Sequence, residues 1–150
     1  MTFVDQASAI EVFLVDDDEA DVLLTTKMLQ RGKLLLDVSV AHDGDQAYEM
    51  LLTRTEHQQR LPDLILLDIN MPRMTGLELL KILKAHPVLQ RIPVVMLTTS
   101  DAPHDVEQVY ALGANCFITK PVTFEQFKSA INVLKEFWFT VVKLPHGNNP

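Results

Sequence analysis

Cysteine is nearly missing from this chain: Cys116 stands alone among 150 residues, so no internal disulfide can form and a disulfide-built scaffold is excluded. It lies in the apolar run Cys116-Phe117-Ile118, where a buried, inert thiol is expected. Long hydrophobic runs are missing too, and none approaches the roughly 20 residues that span a bilayer, so no membrane association is expected. Residues 1–9 carry Asp5 and no basic residue ahead of their apolar part, which does not fit a signal peptide and leads to the expectation of a cytoplasmic protein. Basic charge is scarce: 13 Lys and Arg against 20 Asp and Glu give a formal net charge of -7, with no basic cluster. Such a surface repels nucleic acid phosphates, which argues against direct DNA or RNA binding. The histidines, at positions 42, 57, 86, 104 and 146, include no i, i+4 pair and no neighbouring cysteine, so they predict no zinc site.

What is present is the material for a core. Hydrophobic residues make up 47% of the chain and charged ones 22%, which suits one globular domain. A chain of this size buries roughly two thirds of the surface it exposes when unfolded, enough to fold without disulfides or structural metal. Four short apolar runs, at 12–15, 64–67, 94–97 and 116–118, are too short for helices and too continuous for half-exposed strands. They read as strands buried on both faces of a parallel sheet. A fifth run, Leu36-Asp37-Val38-Ser39-Val40, alternates and suits a strand near the sheet edge.

Helical stretches fall between and after these runs, at about 20–29, 45–52, 77–85, 105–112 and 124–138. Asp18, Thr75 with Gly76, and Thr123 mark helix starts; Gly32, Pro87 and Gly113 mark stops. Five alternations of strand and helix predict an α/β fold: a doubly wound five-stranded parallel sheet, order 2-1-3-4-5, with helices on both faces.

Ligands of such sheets bind beyond the carboxyl ends of the strands, near the point where strand order reverses. Those ends carry Asp16-Asp17-Asp18 after the first strand, Asp68 after the third, Thr98-Thr99-Ser100 after the fourth, and Thr119-Lys120-Pro121 after the fifth. The acid-rich first loop argues against a dinucleotide or flavin, whose phosphates need a loop of free backbone donors. Clustered carboxylates call for a cation, and Mg2+, a hard ion that takes oxygen ligands, fits best. Asp18 can equally serve as the cap of the first helix. Asp68 ends an apolar strand and needs a partner for its charge. A carboxylate facing Mg2+ can act as a nucleophile toward phosphorus and form an acyl phosphate, with Lys120 neutralising the phosphoryl charge and the Thr98 hydroxyl donating to one of its oxygens.

The set Val15-Asp16-Asp17, Leu67-Asp68-Ile69-Asn70-Met71-Pro72, Gly76, Thr98 and Lys120-Pro121 resembles the receiver domain of bacterial two-component response regulators, over about residues 11–134. The resemblance implies a flavodoxin-like fold and phosphotransfer from a sensor histidine kinase to Asp68. It also implies Mg2+ held by Asp17, Asp68 and the Asn70 carbonyl, with Asp16 supporting the metal through water. Lys120 then contacts the phosphoryl group, Thr98 moves toward it on activation, and Phe117 changes rotamer. Receivers often carry Tyr at the Phe117 position and a small residue at that of Thr99. The bulkier Thr99 is expected to restrict access to the phosphoryl group.

The division expected is an N-terminal extension over 1–10, a receiver over 11–138 and a C-terminal extension over 139–150. The receiver fills most of the chain, so a stand-alone regulator that is a switch and not an enzyme is expected. The segment Glu136-Phe137-Trp138-Phe139-Thr140-Val141-Val142-Lys143-Leu144-Pro145 resembles that of regulators paired with bacterial phytochromes. This second resemblance implies a red-light sensor kinase as partner and a homodimer. A dimer seam of Val133, Phe137 and Trp138 follows, because Ala130, Val133 and Phe137 form a second apolar stripe beside the core stripe of the last helix. The alternative function is a phosphorelay shuttle that passes its phosphoryl group to a histidine phosphotransfer protein. A Mg2+-dependent aspartyl phosphatase is disfavoured, because Asn70 stands where such enzymes commonly carry a second acid.

Overall fold

A computed structural model describes residues 10–31, 36–98, 107, 110–114, 116–119 and 123–136. The residues at 98, 116, 117, 119, 124, 127 and 134 enter through their backbone alone. The strands are β1 (Ile10–Val15), β2 (Leu36–Ala41), β3 (Leu64–Asp68), β4 (Val94–Thr98) and β5 (Cys116–Thr119). The helices are α1 (Glu19–Gln30), α2 (Gly44–Glu56), α3 (Gly76–Ala85) and α4 (Phe124–Glu136), with a 3-10 turn at Leu89–Arg91. The five strands form one parallel sheet in the order β2-β1-β3-β4-β5, as the sequence predicts. Most of the helix expected at 105–112 lies outside the described residues, as does Gly32.

Each central strand splits its side chains between two cores. Phe13, Val15, Ile65, Leu67, Val94 and Met96 face Ala47 and Leu51 of α2 and Leu79, Leu80 and Leu83 of α3. Val12, Leu14, Leu64, Leu66, Val95 and Leu97 face Met28 and Leu29 of α1 and Ile131 of α4. Helices therefore cover both faces, and this is why β3 reads as an unbroken apolar run. Burying each of its four aliphatic side chains contributes about 1.5–3 kcal/mol. β2 keeps its alternation because it lies at the edge.

Helix ends follow local chemistry. Asp18 Oδ1 accepts from Asp21 N at 3.0 Å and starts α1. Thr75 and Glu78 form a reciprocal capping box at α3, with bonds of 3.2 and 2.9 Å. Thr123 Oγ1 accepts from Gln126 N at 3.2 Å at the start of α4. Gly113 takes φ +100°, a left-handed conformation that glycine adopts without strain. Beyond α3, His86 Nδ1 accepts from the amides of Val88 and Leu89 at 3.1 and 3.2 Å.

α2 begins and ends outside the stretch the apolar pattern marks. Asp43 caps its start, accepting from Gln46 N at 2.7 Å, and the helix runs on to Glu56. Its last turn is polar in sequence but held by tertiary partners: Arg54 donates to Glu11 Oε1 and Ser39 Oγ, each at 3.1 Å, and lies over the Phe13 ring. At the far end of the chain's described part, α4 is tied to α1. The Lys135 ammonium is buried and donates to the carbonyls of Met28, at 3.1 Å, and Arg31. It satisfies acceptors that a helix C-terminus leaves open.

Candidate functional site

The parallel register brings the strand ends together. Val15 of β1 pairs with Leu67 of β3, so the next residues, Asp16 and Asp68, emerge side by side at the same edge of the sheet. Asp68 in turn lies across from Leu97 of β4, and Thr98 pairs with Thr119 of β5. The carboxylates of Asp16, Asp17 and Asp68 offer oxygens that all lie within 4.8 Å of one another. Asp16 and Asp68 are buried and Asp17 is exposed, so the cluster opens to solvent on one side.

Backbone amides orient the two buried acids. Asp18 N donates to Asp16 Oδ1 at 3.0 Å, and Asn70 N donates to Asp68 Oδ1 at 3.3 Å. Asp18 turns away to cap α1, which separates its role from that of Asp17. Behind Asp68 the chain leaves β3 and returns at once. Met71 N and Gly76 N both donate to Ile69 O, at 3.1 and 2.9 Å, which closes the loop between β3 and α3. Asn70 is part of that loop, so its position is tied to the strand end that carries Asp68.

In the ionised state, two carboxylates at this spacing repel by on the order of 3 kcal/mol at an effective dielectric near 20. A group of hard oxygen donors, partly buried and open to water on one side, fits a small divalent cation that keeps waters in its shell. Asp16, Asp17 and Asp68 are the carboxylates such an ion would meet, with Asn70 beside them.

The remaining expected site residues divide by what is described. Thr98 and Phe117 occupy the expected strand positions through their backbone. Thr99, Ser100, Lys120, Phe137 and Trp138 lie outside the described residues. Val133 is 66% exposed on α4. Two residues near the site carried no signal in the apolar pattern. Arg73 Nη2 donates to Asp43 Oδ2 at 2.8 Å, joining the β3–α3 loop to the cap of α2.

Residues 12–132 match the response regulator receiver domain family. The chain belongs to that family. As a receiver domain it is similar to response regulator Rcp1 of Synechocystis sp., with 36% identity over 135 residues that cover 89% of this chain and 92% of that protein. The crystal structure of the phosphorylated cyanobacterial phytochrome response regulator RcpA superposes with a TM-score of 0.85 at 37% identity, covering 91% of this receiver chain and 99% of RcpA. The Mn(2+)-bound form of Rcp1 gives a TM-score of 0.82 at 34% identity, covering 91% of this chain and 99% of the other. The receiver is thus close to phytochrome response regulators. Among its described residues, no helix is long and apolar enough to cross a membrane.

Proposed function

We propose that this receiver is a stand-alone two-component switch whose state is set by phosphorylation of Asp68. The observation that carries this reading is the placement of Asp68: a buried carboxylate at the end of the central strand, held by Asn70 N and grouped with Asp16 and Asp17. In the transfer, an Asp68 carboxylate oxygen attacks the phosphorus of a phosphohistidine. A P–O bond forms, the P–N bond breaks, and the imidazole leaves with its electron pair and takes up a proton. Asn70 N, already on Oδ1, keeps the carboxylate from rotating away.

The metal we assign is Mg2+, on the hard oxygen donors of Asp17, Asp68 and the Asn70 carbonyl, with Asp16 supporting through water; the Mn(2+)-bound form of Rcp1 supports a divalent ion here. When bound, it supplies charge neutralisation for the phosphoryl oxygens. Lys120 and the Thr98 hydroxyl are assigned to those same oxygens, and Thr98 and Phe117 to the conformational response.

The phosphodonor is a sensor histidine kinase of the phytochrome type, a reading supported by similarity to RcpA and Rcp1. Output is through protein contacts in the cytoplasm and not through an enzymatic activity, with a homodimer as the working form and the extensions 1–10 and 139–150 outside the receiver body at 11–138. The phosphorelay shuttle differs only in the acceptor, and transfer to a histidine phosphotransfer protein distinguishes it.

Asp68→Asn tests the central assignment, because it keeps size and hydrogen-bonding capacity while removing the nucleophile. After incubation with acetyl phosphate and Mg2+, the variant should fold and carry no base-labile phosphate. Undiminished labelling would overturn the assignment of Asp68.

A further inference from the structure

We infer that Arg73, outside the acidic cluster, is a positioning residue for the metal site, acting through its ion pair with Asp43. The inference rests on the reading of Asp16, Asp17 and Asp68 as a divalent-cation site. Arg73 has φ 64°, a left-handed conformation that is unusual for a residue with a long side chain. An exposed ion pair offsets little of that strain in the folded state, and the Arg73 side chain is 68% exposed. Folding stability alone therefore gives little reason for an arginine at this position, where glycine or asparagine would adopt the backbone more easily.

Its location supplies the reason. The loop from Asp68 to Gly76 is pinned at its two ends, at Ile69 O by Met71 N and Gly76 N, and at Thr75 by the capping box. Between those pins, the loop meets α2 at two points. Arg73 Nη2 bonds Asp43 Oδ2 at 2.8 Å, and Met74 packs against Gly44, where a Cβ would come within 2.8 Å of its sulfur. Asp43 is itself held in place: its other oxygen caps α2 through Gln46 N, and Gln46 Oε1 accepts from His42 N. Arg73 thus ties the loop that carries Asn70 to the capped start of α2. Asn70 N orients the Asp68 carboxylate and lies three residues before Arg73, with the Met71 N to Ile69 O bond between them, so part of any freedom at Arg73 reaches the carboxylate oxygens of the proposed site.

The test measures the dissociation constants of Mg2+ and Mn2+ by calorimetry on the full chain. The variants are Arg73→Gln, Arg73→Gly, Arg73→Lys and Asp43→Asn, which keeps the helix cap because asparagine caps as well as aspartate. Arg73→Gln and Asp43→Asn should each weaken metal binding about two- to fivefold, the range an exposed ion pair spans, and their double variant should be no weaker than either alone. Arg73→Gly should weaken it as much although it relieves the backbone, and Arg73→Lys should restore most of it. Unfolding midpoints of Arg73→Gln, Arg73→Lys and Asp43→Asn should stay within about 2 °C of wild type, and that of Arg73→Gly should rise by about 2–4 °C as the backbone strain is relieved. Wild-type affinity in Arg73→Gln and Arg73→Gly would overturn the inference while leaving the metal site standing. Additive losses in the double variant would also overturn it, since the two residues would then act separately. A wild-type chain that binds neither ion would instead remove the metal reading on which the inference rests.

Discussion

Gly76 lies so close to Asp68 that a Cβ built on it would stand 2.1 Å from the Asp68 carbonyl oxygen and 2.8 Å from Ile69 Cα. Both neighbours are backbone, so no flexible side chain can move aside. Gly76→Ala should therefore push the strand end and the first turn of α3 apart, costing about 1–3 kcal/mol. Urea unfolding measures that cost. The same variant should take up phosphate from acetyl phosphate more slowly, because the displaced residue is the proposed acceptor. Wild-type stability in Gly76→Ala would show that this contact relaxes without strain.

Asp17 and Asp18 are neighbours with different work. Asp17 belongs to the carboxylate trio, whereas Asp18 Oδ1 is occupied by Asp21 N at 3.0 Å. Asp17→Asn should lower Mg2+ affinity by at least about tenfold, as loss of a charged ligand does. Asp18→Asn should leave it nearly unchanged, because asparagine also caps a helix. Calorimetric titration of both variants decides this, and equal losses would place Asp18 among the ligands.

The sequence was informative where one residue type had one physical explanation. Leu64-Ile65-Leu66-Leu67 could only be a strand covered on both faces, and Asp68 at its end stood out as a charge in need of company. The acidic cluster was legible for the same reason, since parallel pairing leaves little choice about which residues follow Val15 and Leu67. The last turn of α2 was not legible. Thr53, Arg54, Thr55 and Glu56 carry no apolar pattern, and what holds Arg54 comes from β1 and β2, at Glu11 and Ser39. Lys135 was missed likewise: its partners are backbone carbonyls more than a hundred residues earlier, at Met28 and Arg31, and carbonyls leave no trace in side-chain patterning.

That lysine makes stability depend on pH. Burial, with the Arg31 charge adding to it, lowers the Lys135 pKa below its ordinary 10.5. Between the lowered value and 10.5 the unfolded chain binds more protons than the folded one, so folding stability rises with pH across that interval. Below the interval the ammonium is charged in both states and its desolvation cost is constant. Lys135→Met removes this dependence and the two carbonyl bonds together, and it should destabilise the protein by about 1–3 kcal/mol. The stability gap between wild type and variant, measured by urea unfolding from neutral pH upward, should widen as pH approaches 10.5. A gap that is flat or narrows with pH would mean that Lys135 is not the group responsible.

The exposed face of α4 bears on assembly. Ile131 is fully buried against the core, while Val133 is 66% exposed two residues later, with Ala130 half-buried between the two faces. A single exposed valine is ordinary on a monomer surface. In the sequence, Ala130 and Val133 share helical spacing with Phe137, which lies outside the described residues, and this pattern predicts an apolar stripe wider than one helix needs for its own core. A two-fold dimer presents the same stripe from both subunits, and one substitution then acts twice. Val133→Glu, at a position exposed in the folded protomer, should leave the fold intact and raise the dimer dissociation constant by at least about tenfold. Phe137→Glu should do the same if the seam follows the stripe. Sedimentation velocity across a concentration series, with and without acetyl phosphate, reads the result directly. A wild type that stays monomeric at tens of micromolar in both states would rule the dimer out and assign the stripe to cover within one chain.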